Sequence, residues 1–147
     1  MKLLTATLAA IALTACAAPV TAIDGGDEGI YAATGRQPTI NVRTFRLARS
    51  ADLWTLEERK PDGAWAQFPC SADCALRKSA ADDLKRIFPA QTLSEIVPHC
   101  LHNAALAFCR YSIVQKPQSR SYVLVTFAGT EPIPVRLARI GPRPEGK

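Results

Sequence analysis

Four cysteines are the residues whose type and spacing most directly indicate chemistry in this sequence. Cys70 and Cys74 are separated by three residues, and Cys100 and Cys109 are separated by eight. In an oxidising compartment an even number of cysteines favours disulfides, whereas reduced thiolates select soft metals such as Cu(I). These residues therefore predict either two structural disulfides or a thiol- or metal-handling site.

The pairing of the cysteines depends on the shape of the chain between residues 100 and 109. If that segment were one continuous strand or helix, Cys100 and Cys109 would exceed the ~7 Å Cα separation that a disulfide allows. Both would then bond to Cys70 and Cys74. If the chain reverses near Asn103, Cys100 faces Cys109 across a hairpin and Cys70–Cys74 closes a short loop. We favour this local pairing, and both connectivities stay open at this point.

The segment 70–74 also resembles the Cys-x-x-x-Cys motif of thioredoxin-like copper-delivery proteins. That resemblance implies a Cu(I) site in which Cys70 and Cys74 are joined by His99 or His102. The strand predicted before Cys70 belongs to a hairpin rather than to a βαβ unit, and an oxidising compartment removes the thiolates. We therefore predict disulfides and no cofactor, and keep the metal set Cys70, Cys74, His99 and His102 as the alternative.

The N-terminus has the order of features of an export signal. Lys2 is followed by a short apolar run, residues 3–13, which is too short to span a bilayer permanently. The run ends in Leu13-Thr14-Ala15-Cys16, and this sequence resembles the lipobox of bacterial lipoprotein precursors.

The lipobox resemblance implies a location for the protein. Residues 1–15 would be removed as a signal peptide, and Cys16 would be triacylated, which holds a protein stably on a bilayer. Ala17 resembles the pattern of lipoproteins passed to the outer membrane, so the expected place is the cell envelope, with the domain facing the periplasm. The alternative is a plain secretory signal cleaved after Ala18 or Ala22.

Composition divides the remaining chain into three parts. Residues 16–38 are rich in glycine and lack any sustained hydrophobic period, which predicts a lipidated flexible tether. Residues 39–141 carry short β-branched and aromatic runs between turn residues, which predicts a single β-rich domain. Residues 142–147 are predicted to be a disordered tail. A chain of 147 residues, 48% hydrophobic and 21% charged, has room for one such domain.

Period-2 patterning predicts an α+β fold that is mainly antiparallel β, with about six strands and one short amphipathic helix. The first strand is predicted over residues 39–47. The clearest hairpin joins residues 53–59 and 64–68, since the turn between them contains Pro61 and Gly63. The aromatic and aliphatic side chains of this hairpin are predicted to lie in the core: Trp54, Leu56, Trp65 and Phe68.

The second half of the chain predicts a helix followed by a meander. The helix begins at Ser79 and ends before Pro89. Three strands follow, over residues 107–113, 122–127 and 133–140. Pro134 predicts that the last strand lies at the edge of the sheet, because proline donates no backbone hydrogen bond.

Net positive charge is concentrated near the C-terminus. The whole chain carries 18 Lys and Arg against 13 Asp and Glu, an excess too small to indicate a nucleic acid partner. Residues 96–147 contain only Glu131 and Glu145 as acids. We therefore predict an acidic protein or cell-wall partner, because arginine with a nearby tyrosine is typical of interface anchors. The expected binding residues are Arg110, Arg120, Tyr122 and Arg136, and Arg110 and Arg136 are predicted to lie on a solvated face of their strands.

The sequence contains no motif of a hydrolase, a nucleotide-binding loop or a zinc protease, which favours a non-enzymatic protein. In plan it resembles small disulfide-braced envelope lipoproteins, including lysozyme inhibitors and immunity proteins. That resemblance implies an inhibitor, an immunity protein or an accessory factor that binds a protein or cell-wall component. The alternatives are a copper- or thiol-handling periplasmic protein using Cys70 and Cys74, and a structural or assembly lipoprotein of an envelope machine.

Overall fold

The computed structural model describes residues 22–35, 42–70 and 73–142. In these ranges nine strands form one antiparallel sheet, accompanied by a 3-10 turn at Gly25–Asp27 and two short helices, α1 (Ala81–Ile87) and α2 (Ala90–Glu95). The strands are β1 (Gly29–Thr34), β2 (Thr44–Ser50), β3 (Leu53–Arg59), β4 (Trp65–Gln67), β5 (Arg77–Lys78), β6 (Ile96–His102), β7 (Leu106–Ile113), β8 (Lys116–Thr126) and β9 (Ile133–Gly141).

The order of strands in the sheet is β4-β3-β2-β1-β9-β8-β7-β6-β5, so only the pairing of β1 with β9 joins strands distant in sequence. The two ends of the sheet approach each other. Leu76, just before β5, forms an antiparallel bridge with Trp54 of β3, and its N–H donates to the Trp54 carbonyl at 2.8 Å. We call the line where β3 meets residues 73–78 the seam.

The sheet is strongly curled, because side chains of non-adjacent strands meet on its concave face. Tyr31 of β1 contacts Phe108 of β7 with ring centroids 5.0 Å apart, although β8 and β9 lie between these strands. The concave face encloses the main core. Its other buried members include Phe45, Leu47, Trp54, Leu56, Leu101, Leu106, Tyr122, Leu124 and Leu137.

A second, smaller core lies on the convex face, where the helices cover β6, β7 and β8. Ile87 of α1 and the following Phe88 pack against alternate residues of these strands: Cys100, Ala107, Cys109, Val123 and Val125. Pro89 separates the helices, because proline disfavours the helical conformation at Phe88, which is extended. Residues 106–110 of β7 are consequently buried on both faces.

The two ends of the curled sheet differ. At the end that we call proximal, β1 begins, β7 and β9 end, and the 3-10 turn closes the interior with Ile23 and Asp27, which are 4% and 0% exposed. At the opposite, distal end, β1 ends and β9 begins.

No helix among the described residues is long and apolar enough to cross a membrane.

The predicted fold class is wrong. The structure is mostly antiparallel β, with nine strands in one curled sheet rather than about six, and its two helices are single short segments. The predicted hairpin is present as β3 and β4, joined by a turn in which Gly63 has φ of 86°. The two predicted disulfides are present as well.

The predicted tether is also wrong for residues 22–35, which belong to the domain. β1 lies in the middle of the sheet, between β2 and β9. The glycines that suggested a coil have a packing reason here: a Cβ on Gly29 would lie 2.8 Å from the Gly141 carbonyl oxygen. The rest of the predicted tether, the lipobox and residues 143–147 of the predicted tail lie outside the described residues.

The edge position predicted from Pro134 is wrong for the strand as a whole. β9 lies between β8 and β1. The proline is accommodated because, among the described residues, β1 pairs with β9 only from Arg136 onward, and the first residues of β9 pair there with β8 alone. The missing N–H of Pro134 therefore leaves no partner on β1 unsatisfied.

Candidate functional site

A cluster of charged and phenolic side chains lies inside the proximal end of the curled sheet. Asp27 is fully buried, and its carboxylate accepts from Arg110 Nη1 at 2.5 Å and from the Tyr122 hydroxyl at 3.1 Å. The Tyr31 hydroxyl donates to the Asp27 backbone carbonyl. Arg110 also donates to the carbonyl of Ala22 at 3.4 Å. This cluster fastens the N-terminal segment to β7 and β8.

The electrostatics of the cluster keep its phenols protonated. Burial raises the pKa of Tyr31, and the neighbouring Tyr122 and Asp27 raise it further. Burial, followed by the negative charge of Asp27, also raises the pKa of Tyr122. Both hydroxyls therefore act as hydrogen-bond donors, and the buried charges of Asp27 and Arg110 compensate each other, which is what burial of charge requires. The chemistry of the cluster is structural.

Two further polar side chains lie close to Arg110: His99 on β6 and Ser112, two positions along β7. His99 is directly opposite Arg110 in the register, and burial, with the positive charge of Arg110, lowers the pKa of this histidine. His99 Nε2 and Ser112 Oγ are buried and have no hydrogen-bond partner among the described residues. They therefore do not form the bonded serine–histidine pair that an activated nucleophile needs.

A serine, a histidine and an aspartate do meet on the convex face, at the start of α1. Ser79 Oγ lies 2.7 Å from His102 Nδ1, and His102 Nε2 lies 3.4 Å from Asp83 Oδ1. Asp83 also accepts from the backbone N–H of Ala80 at 2.8 Å, so it caps the helix. His102 is 5% exposed, and Ser79 is half-buried. This trio anchors α1 to β6.

The cysteines are paired locally, as predicted. Cys100 and Cys109 are opposite each other in the β6–β7 register, with Cα atoms 4.1 Å apart, and Cys70 and Cys74 are 5.7 Å apart. The hairpin reverses at Asn103, whose side chain accepts from the backbone N–H groups of residues 105 and 106.

The alternative metal set is not assembled. Cys70 and Cys74 are bonded to each other, and side chains three positions apart on one strand point to opposite faces, which separates His99 from His102. No group of three or more metal-binding side chains occurs within residues 22–35, 42–70 and 73–142.

The binding residues predicted from charge are not brought together. Arg110 and Tyr122 are 3% and 7% exposed and belong to the interior cluster, so the prediction that Arg110 lies on a solvated face is wrong. Arg120 and Arg136 are exposed. By alternation along β8, however, Arg120 shares the face of Tyr122, whereas Arg136 is opposite Val123 on the other face.

A groove lies along the seam. It has a volume of about 750 Å³ and is formed by residues 22–24, the turn between β2 and β3, and residues 73–78. The Cys70–Cys74 disulfide directly precedes Ala75, which lies in the wall of the groove. Its charged residues are Asp24, Arg49, Asp52, Asp73, Arg77 and Lys78.

The charges of the seam groove are unequally compensated. Arg49 lies 3.3 Å from Asp52, whereas Asp24 and Asp73 accept from nearby backbone N–H groups. Arg77 and Lys78 are exposed and form no ion pair with a carboxylate of the described residues.

Sequence reasoning missed Asp27, Arg77 and Lys78. The signal for Asp27 was present, because Asp24 and Asp27 have the three-residue spacing of a capping box, which the structure contains. No comparable signal marks Arg77 and Lys78, whose position in the groove depends on the contact of β3 with residues 73–78.

No protein-family model matches the sequence, and neither a curated protein nor a solved structure is detectably similar to it.

Proposed function

We propose that this protein is a lipid-anchored envelope protein, acylated at Cys16, that binds an acidic protein or cell-wall component in the seam groove without catalysing a reaction. The lipobox at residues 13–16 supports the anchor. The two disulfides fit a protein that works in an oxidising compartment such as the periplasm.

The observation that carries the binding role is the pair of exposed cations in the groove, which form no direct ion pair within the described residues. Arg77 and Lys78 are adjacent on β5, and both line the opening. Apolar contact area is provided beside them by Leu53, which is 59% exposed, while Ile23, Trp54 and Leu76 are buried beneath the groove. Exposed apolar surface flanked by cations favours an acidic ligand and gives its association a dependence on salt.

The anchor is tested by measuring, with mass spectrometry, the mass of the protein isolated from membranes. We expect a chain that begins at Cys16 and carries lipid, and we expect Cys16→Ala to release the protein from the membrane fraction. An unmodified N-terminus beyond residue 16 would contradict the anchor while leaving the groove to be tested separately.

The experiment for the groove uses a photo-crosslinking amino acid at Ala75, in the groove wall, and at Ala138, which is exposed on β9. We expect a discrete adduct from position 75 alone, and its loss in the variant Arg77→Glu/Lys78→Glu. The variant Arg59→Glu/Lys60→Glu is the matched control, because the same dipeptide lies at the distal end. Identical adducts from both positions, or an adduct that survives reversal at 77 and 78, would overturn the proposal.

A further inference from the structure

Exposed apolar side chains are concentrated at the proximal end of the sheet. Seven large hydrophobic side chains are at least 40% exposed in the described ranges. Two of them, Val42 and Ile133, lie at the distal end. The other five lie at or next to the proximal ends of β3, β6, β7 and β9: Leu53, Val97, Ile113, Val114 and Ile140.

The hairpin between β7 and β8 combines this apolar surface with positive charge. Ile113 and Val114 are 41% and 51% exposed at its tip, and Lys116 and Arg120 follow on β8. Residues 96–130 contain no Asp or Glu, so the hairpin carries no acidic residue of its own. Apolar side chains beside cations are the composition of segments that enter the interface of an anionic bilayer.

The N-terminal segment leaves the described domain at the proximal end, where Ala22 lines the seam groove. Arg110 of β7 donates to the carbonyl of Ala22, the first described residue. Val114 follows Arg110 by four positions, which is about 13 Å along an extended chain. Cys16 precedes Ala22 by six positions, and six residues span at most about 20 Å. Lipid on Cys16 therefore holds the proximal end within reach of the headgroups.

We infer that the proximal end is a second, protein-borne contact with the membrane, in which Ile113 and Val114 enter the interface of an anionic bilayer and Lys116 and Arg120 lie among its phosphates. This contact rests on the lipid anchor of the proposed function. It fixes the orientation of the domain, with its distal end directed away from the bilayer.

The orientation is tested on the full-length lipidated protein in vesicles that contain phosphatidylglycerol. An environment-sensitive fluorophore is attached at Val114→Cys or, as the control, at Val42→Cys. We expect a blue shift and quenching by nitroxide-labelled lipid at position 114 only. If both positions remain in an aqueous environment while the protein is vesicle-bound, the inference is overturned although the anchor stands.

The energetic contribution is tested on the full-length Cys16→Ser protein, which removes the acyl chains. We expect Ile113→Asn/Val114→Asn to lower binding to the same vesicles about tenfold, since two half-exposed aliphatic side chains are lost. The matched control Val42→Asn/Ile133→Asn removes one valine and one isoleucine of similar exposure from the distal end. Equal binding by the two variants, with both folded by circular dichroism, would overturn the inference independently of lipidation.

Discussion

Asp27 and Arg110 form an ion pair of 2.5 Å in the interior, although 83 positions separate them in the sequence. Arg110 holds the Asp27 carboxylate and the Ala22 carbonyl at the same time, so it attaches the entering chain to β7. The N-terminal segment therefore behaves as part of the domain.

Removing the buried carboxylate should strongly destabilise the fold. We expect Asp27→Ala to lower the free energy of unfolding by about 3–5 kcal/mol, because it leaves the Arg110 charge buried without its partner. Denaturant unfolding measures this. Asp52→Ala is the control, since the Asp52 side chain is 99% exposed and its change should cost little. Similar losses for the two variants would show that the ion pair has no structural role.

Alkaline pH should destabilise the interior through its tyrosines. The folded pKa values of Tyr31 and Tyr122 are raised above the ordinary value of 10.0, mainly by burial. The stability that they contribute is therefore complete below about pH 10 and is lost as the pH rises toward the folded pKa values. The unfolding midpoint should be lower above pH 10 than below it. Tyr122→Phe should make this decrease of the midpoint with pH less steep. A slope unchanged in that variant would contradict the assignment.

Mild acid should destabilise the protein through its two histidines. Burial lowers the folded pKa values of His99 and His102 below their ordinary value of 6.5; Arg110 adds to this at His99, and Asp83 opposes it at His102. The unfolded chain then binds more protons, so stability is complete above pH 6.5 and falls as the pH drops below it. His99→Gln/His102→Gln should flatten the dependence between about pH 7 and about pH 5. An equally steep dependence in the double variant would assign it to other groups.

The two disulfides should differ in their accessibility to reductant. Cys100 and Cys109 are 6% and 0% exposed beneath α1, whereas Cys70 and Cys74 are half-buried beside the seam. We expect dithiothreitol and iodoacetamide to modify Cys70 and Cys74 in the native protein, with Cys100 and Cys109 modified only after denaturant is added. Peptide mass mapping distinguishes the pairs. Simultaneous modification of all four under native conditions would show that the helices do not protect the inner pair.

Local patterns were sufficient for part of this fold. The turn residues between β3 and β4 predicted that hairpin, and the reversal at Asn103 favoured the Cys100–Cys109 pairing that the structure contains. These features depend on residues within about ten positions of one another, where turn chemistry and alternation decide the structure.

The failures share a physical cause, since each depended on a distant partner. Alternation along β7 places Arg110 and Cys109 on opposite faces of the strand. It does not indicate that the helices cover the face of Cys109, or that the face of Arg110 lies inside the curled sheet. Arg110 was therefore predicted to meet solvent. Residues 22–35 were predicted to be a tether for the same reason: Asp27 is stabilised inside only because Arg110 and Tyr122 are there to bind it.

The pairing of β1 with β9 determines the moment at which the sheet can be completed. The register joins Thr34 to Arg136 and Ile30 to Gly141, contacts that span more than two thirds of the chain. During synthesis, which proceeds from the N-terminus, one edge of β1 and one edge of β8 stay open until the last strand emerges. A nascent chain that lacks β9 exposes two unpaired strand edges beside its aromatic core. This topology therefore implies that the sheet closes slowly and that its open edges need protection from aggregation until β9 is available.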